Sequence, residues 1–150
     1  RFPSFYEIKL RIFFMAGIHF QFEDFKQLLR LNIGIADRLD ENRAESFTIL
    51  YCDLSEIEAV VIAGALKEIL RTSDTIANHG KAYFFVLPYT DKYGADIVKK
   101  LFDTKFDTFL NSFLISYPVD GESAEEITGV LQTSVKHFCK KDLDYLDMLS

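Results

Sequence analysis

The chain has 150 residues, enough for one domain with a real core and short for two. Hydrophobic residues make up 49% and charged residues 27%, a globular balance that excludes a disordered segment. A formal charge of −6 excludes DNA or RNA polymers as partners, because neutralising a phosphate backbone needs a basic face; a small nucleotide needs only two or three local donors and stays open.

In the opening "RFPSFYEIKLRIFFMAGIHF", Glu7, Lys9 and Arg11 interrupt any window able to span a bilayer. Neither a starting Met nor the small residues of a signal peptide is present. The expectation is a fragment of a longer protein, cytoplasmic, with any membrane anchor elsewhere in the parent chain. "EDFKQLLRLNIGIADRLDEN", 23–42, carries Phe25, Leu28, Leu29, Ile33, Ile35 and Leu39 at helical spacing, with acidic residues in its first turn. Residues 1–42 thus read as a helical lead-in. "SFTILYCDL", 46–54, is a β-branched and aromatic run and reads as a central strand. "SEIEAVVIAGALKEILR", 55–71, returns to helical spacing, with Ser55 as N-cap and Glu56 and Glu58 in the first turn.

"DTIANHG" and "AYFFVLP" read as paired strands around a turn at His79, Gly80 and Lys81, ended by Pro88. "DKYGADIVKKLFDTKF", 91–106, is expected to be a helix with Ile97, Val98, Leu101 and Phe102 on one face and Lys99 and Lys100 on another. "NSFLISYPVD", 111–120, is another strand. "SAEEITGVLQTSVKHF", 123–138, is a helix capped by Ser123, and the tail 139–150 would extend it. Within 46–138 the order contains β-α-β-β-α-β, the split βαβ pattern. The expected class is α+β, an α/β sandwich with a mostly antiparallel sheet and helices packed against it, in a single domain over 1–150. Such a fold by itself decides nothing about function.

Cys52 and Cys139 belong to no C-x-x-C or Cys/His cluster and suit a reducing compartment. His19, His79 and His137 share no ligand spacing, so each reads as structural and no metal site is expected.

The arrangement "RTSD", then "TIANH", then "GKAYFFVLP", resembles the GGDEF (diguanylate cyclase) family, which places an Arg-x-x-Asp the same distance before its Gly-Gly-Asp-Glu-Phe turn. "SFLISYPVDGESAEEITGVLQ", 112–132, is similar to that family's late strand, Pro-x-Asp-Gly turn and following helix. "FTILYCDL" matches its first strand, with Asp53 at a metal-binding position. The resemblance implies a nucleotide cyclase-like fold over about residues 15–135. The departures imply lost catalysis. Gly80, Lys81, Ala82, Tyr83 and Phe84 stand at the turn, so Ala82 and Tyr83 replace the carboxylates that would hold Mg²⁺, leaving Asp53 vestigial. "EIEAVVI" replaces the guanine-reading motif, and the stretch from Asp53 to Arg71 is shorter than the family's.

In active relatives the Arg-x-x-Asp is the inhibitory site for cyclic di-GMP. The resemblance therefore implies that Arg71 and Asp74 bind that ligand, with Thr72, Ser73, Lys99, Lys100 and Lys105 as further candidates and no other cofactor. A guanidinium bonds bidentately to guanine or phosphate, and a carboxylate accepts from guanine N–H groups. The alternative is that Arg71 and Asp74 merely punctuate a helix end and a turn. Lys81 could hold a phosphate or cap the hairpin, with the cap favoured, and Tyr83 and Phe84 read as ordinary strand residues. PelD-type receptors, which switch on exopolysaccharide export, are similar in keeping the Arg-x-x-Asp while losing the turn. The expectation is thus a catalytically inactive receptor that signals to another domain, to a protein of a secretion complex, or through a homodimer. The alternatives are a scaffold that binds no nucleotide and a domain that uses GTP.

Overall fold

A computed structural model describes residues 17–39 and 43–150; the expected lead-in over 1–16 and the helix end over 40–42 lie outside the described residues. In chain order the elements are β1 (Ile18–His19), α1 (Phe25–Arg38), β2 (Glu45–Asp53), α2 (Ala59–Ile69), β3 (Thr75–His79), β4 (Ala82–Pro88), α3 (Lys92–Phe106), β5 (Ser112–Pro118) and α4 (Ala124–Ser134). The five strands form one sheet in the order β1-β3-β4-β2-β5. β1 runs parallel to β3, and every other neighbouring pair is antiparallel. Each crossover, β2-α2-β3 and β4-α3-β5, skips over one intervening strand, which is the split βαβ arrangement expected from the element order.

Side chains alternate across β2 as strand geometry demands. Phe47, Ile49 and Tyr51 enter one core with α1 and α4. Leu50 and Cys52 enter the other with α2 and α3. The sheet is therefore buried on both faces, which explains why β2 and β4 read as nearly continuous apolar runs. Both cysteines are buried free thiols. The hairpin turns through Gly80 at φ +59°, a left-handed conformation that glycine adopts without strain. Among the described residues no helix is long and apolar enough to cross a membrane.

Several expectations are corrected. α2 begins at Ala59 with Glu58 as its extended N-cap, so Ser55 is not the cap and neither Glu56 nor Glu58 lies in the first helical turn. The reason is tertiary. Leu54 N–H donates to the Lys81 carbonyl at 2.9 Å, and the Lys81 ammonium donates to the Ile57 carbonyl, so the hairpin holds 54–57 out of the helix. In α1 the buried line runs through Phe25, Leu28, Leu29 and Asn32, while Ile35 and Leu39 stay exposed. In α3 the buried face is Ala95, Lys99 and Phe102, whereas Ile97 and Leu101 face outward. Ser123 does cap α4, accepting from Glu126 N–H at 3.1 Å. The helix continues as a π turn over Val135–Cys139, then Lys140 at φ +59° ends it, so the tail folds back instead of extending it.

Candidate functional site

α2 ends at Ile69, and the chain reverses over 71–74 with Asp74 N–H donating to the Arg71 carbonyl at 3.1 Å. Asp74 Oδ2 accepts the Arg71 backbone N–H at 2.8 Å. Arg71 Nη2 donates to Asp74 Oδ1 at 2.9 Å, to the Pro88 carbonyl at 2.8 Å and to Thr90 Oγ1 at 3.0 Å. The Asp74 side chain is 3% exposed and that of Arg71 is 53% exposed. The two residues therefore play different parts. Asp74 closes the turn and aims the cation, and Arg71 presents the rest of its guanidinium to solvent.

The guanidinium forms one wall of an open cleft of about 780 Å³, whose lining includes Arg43, Glu45, Tyr89, Thr90 and Val98. The Thr48 hydroxyl fixes the Thr90 backbone beside Arg71, donating to the Thr90 carbonyl at 2.7 Å while lying 2.7 Å from Ser116 Oγ. Tyr89 precedes this anchor with φ +54°. The amino end of α3 adjoins the cleft, but its donors are taken: Asp91 Oδ1 accepts Gly94 N–H at 2.8 Å and Glu45 Oε2 accepts Lys92 N–H at 3.0 Å. The dipole at this end of α3 is thus answered by the protein's own carboxylates, and the guanidinium of Arg71 is a cation on the cleft wall.

Of the further candidates, Thr72 and Ser73 sit at the exposed crown of the turn and do not line the cleft. None of the three lysines lines it either. Lys99 is buried, pairs with Asp103 at 2.6 Å and lies over the Phe109 ring at 3.3 Å, so it shares the buried face of α3 with Ala95 and Phe102 and does not stand with Lys100 on a separate one. Lys100 pairs with Asp96 at 3.0 Å, and Lys105 pairs with Glu68 at 2.8 Å. The residues missed from sequence are Arg43, Tyr89 and Thr90. Arg43 lies far from Arg71 in the chain, and only the pairing of β2 with β4 brings them together; Tyr89, between Pro88 and the Thr90-Asp91 cap, carried the weak signal of an aromatic in a turn.

Asp53 stands at the opposite end of β2, facing Ala82 across the ladder and roughly 26 Å of strand from Glu45. Burial pushes its pKa up, but hydrogen bonds from Ser55 and the Lys141 ammonium outweigh this and hold it below the usual carboxylate value. Lys141 Nζ lies 3.3 Å from Asp53 Oδ2. The folded-back tail covers this end: Asn111 donates to the Cys139 carbonyl at 2.8 Å, and Tyr145 stacks on His79 at 3.8 Å between ring centres. Phe84 is in the core beneath α1 and α4, and Tyr83 is half-buried on the opposite face of the sheet, stacked on Phe85. Lys81 is the hairpin clasp already described. Among the described residues no group of three His, Cys, Asp or Glu converges to hold a metal ion.

No protein-family model matches the chain, and no curated protein matches it.

Proposed function

We propose that the domain is a catalytically inactive, GGDEF-like receptor that binds cyclic di-GMP in the cleft beside Arg71. One observation carries the reading. The Arg71 guanidinium is oriented from behind by a buried carboxylate, a backbone carbonyl and a hydroxyl, yet half of its side chain remains open to a cavity large enough for a nucleotide. Pre-orientation of this kind lowers the entropy lost on binding and suits the planar edge of guanine or a phosphate. The resemblance of "RTSD" and the hairpin behind it to the cyclase family supplies the ligand. Arg43 lines the same cleft, whereas the lysines of α3 do not.

Loss of catalysis is supported by the other end of β2. Asp53 meets the ammonium of Lys141 where a metal site needs further carboxylates, and Ala82 lies opposite it. Signalling would follow by population shift: a ligand dimer held by Arg71 also bonds a neighbouring surface and favours one arrangement of the two. That surface belongs to another domain, a second copy or a protein of a secretion complex, with exopolysaccharide export of the PelD type as the narrower reading.

A scaffold that binds no nucleotide is the second reading, favoured by how completely the protein itself engages Asp74. Thermal unfolding separates the two. At about a hundredfold excess over its dissociation constant, cyclic di-GMP stabilises a receptor by about 2.7 kcal/mol, whereas a scaffold's melting midpoint does not move. GTP with Mg²⁺ should be recovered unchanged by either.

A further inference from the structure

Tyr89 holds φ +54°, in the left-handed region where a residue with a bulky side chain is strained. A glycine would occupy that position without penalty. Packing accounts for only part of the aromatic, because the residue is 58% exposed although it also borders a small pocket with Ile35, Leu39 and Phe47. The conformation is imposed on both sides. Pro88, which ends β4, offers its carbonyl to Arg71 Nη2 at 2.8 Å and to the Thr90 hydroxyl at 2.8 Å, and the Thr90 carbonyl is held by Thr48. The backbone that strains Tyr89 is therefore the same backbone that orients Arg71. Strain of this kind persists where surrounding structure over-determines it, and it collects at ligand sites.

We infer that Tyr89 is the base-stacking platform of the cleft, receiving a purine ring of the nucleotide whose polar edge or phosphate is held by Arg71. This inference rests on the nucleotide-receptor reading and adds to it the residue that selects a flat aromatic base. An exposed aromatic residue lining a cleft beside the Arg71 guanidinium has the composition of such a platform: aromatic face for the base, cation for the phosphate. The left-handed turn fixes the backbone that carries the ring, so little backbone freedom is lost on stacking.

The chain contains no tryptophan, so Tyr89→Trp introduces a single reporter at the platform. The experiment titrates cyclic di-GMP into the unsubstituted protein, Tyr89→Trp, Tyr89→Phe, Tyr89→Gly and Arg71→Ala. Stacking predicts quenching of the new tryptophan with the same midpoint as calorimetric binding, and retained affinity in Tyr89→Phe. Tyr89→Gly should bind about tenfold more weakly, within the range for loss of one base–aromatic stack. Its melting midpoint should nevertheless rise, because the backbone strain is relieved, which separates lost recognition from lost folding. If the unsubstituted protein binds and Arg71→Ala does not, while Tyr89→Gly binds as tightly as the original, the platform is overturned and the receptor reading stands. If the unsubstituted protein does not bind, both fall.

Discussion

Asp74 accepts the backbone N–H of Arg71 at 2.8 Å and its guanidinium at 2.9 Å, so one buried carboxylate both closes the α2–β3 turn and aims the cation. Removing it should act on stability first. Asp74→Ala leaves the Arg71 N–H without its acceptor and should cost roughly 1–3 kcal/mol in chemical denaturation. Asp74→Asn keeps one acceptor oxygen and should recover most of that loss. Arg71→Ala should be the milder of the two truncations, because Asp74 keeps the backbone donor and water can enter the vacated, half-exposed position. Equal losses for Asp74→Ala and Asp74→Asn would show that the backbone bond is not what the carboxylate provides.

Lys99 tests whether the α3 cations belong to the site. The residue is 5% exposed and its ammonium is bound to Asp103, whose other oxygen accepts Leu110 N–H at 2.9 Å at the end of the helix. Lys99→Ala leaves a half-compensated buried carboxylate and should cost roughly 3 kcal/mol. Its affinity for cyclic di-GMP, measured well below its melting midpoint, should equal that of the unsubstituted protein. Lys100→Ala, at an exposed helical pair, should leave both quantities unchanged. A selective loss of binding in either variant would return these lysines to the site.

The Asp53–Lys141 pair predicts a specific pH dependence. Against the effect of burial, the folded-state pKa of Asp53 lies below its ordinary value, lowered first by hydrogen bonds from Ser55 and then by Lys141. These partners together stabilise the fold above the unfolded pKa, and that contribution is lost as pH falls toward the folded one. Lys141→Met should destabilise by under about 1 kcal/mol at neutral pH, since Lys141 is half exposed. Its acid-unfolding midpoint should move to higher pH, and the difference from the unsubstituted protein should vanish once Asp53 is protonated in both. A difference that persists unchanged into strong acid would assign Lys141 a packing role instead of an electrostatic one.

The strands and the hairpin were legible because apolar runs punctuated by Gly80 and Pro88 leave few alternatives. The helix faces were less so. Ile97, Val98, Leu101 and Phe102 make a plausible stripe, yet the helix is rotated so that Lys99 enters the protein, its ammonium paired with Asp103 and seated over the Phe109 ring. Ser55 looked like a cap because the pattern behind it is helical; the competing bonds come from Lys81 across the hairpin, invisible to any local window. At the cleft, Arg71 and Asp74 were singled out by the resemblance to the cyclase family, but their bond to each other was not foreseeable. The cleft itself is a tertiary product of Arg43, Thr48 and Tyr89 brought together by the pairing of β2 with β4 and β5.

Titration calorimetry of cyclic di-GMP into the folded protein, beside Arg71→Ala, tests the central claim most directly. The receptor reading predicts saturable heat with a dissociation constant on the order of micromolar, about −8 kcal/mol, and its loss in Arg71→Ala at unchanged circular dichroism. Absence of heat from the well-folded, unsubstituted protein, or equal binding by Arg71→Ala, would contradict it.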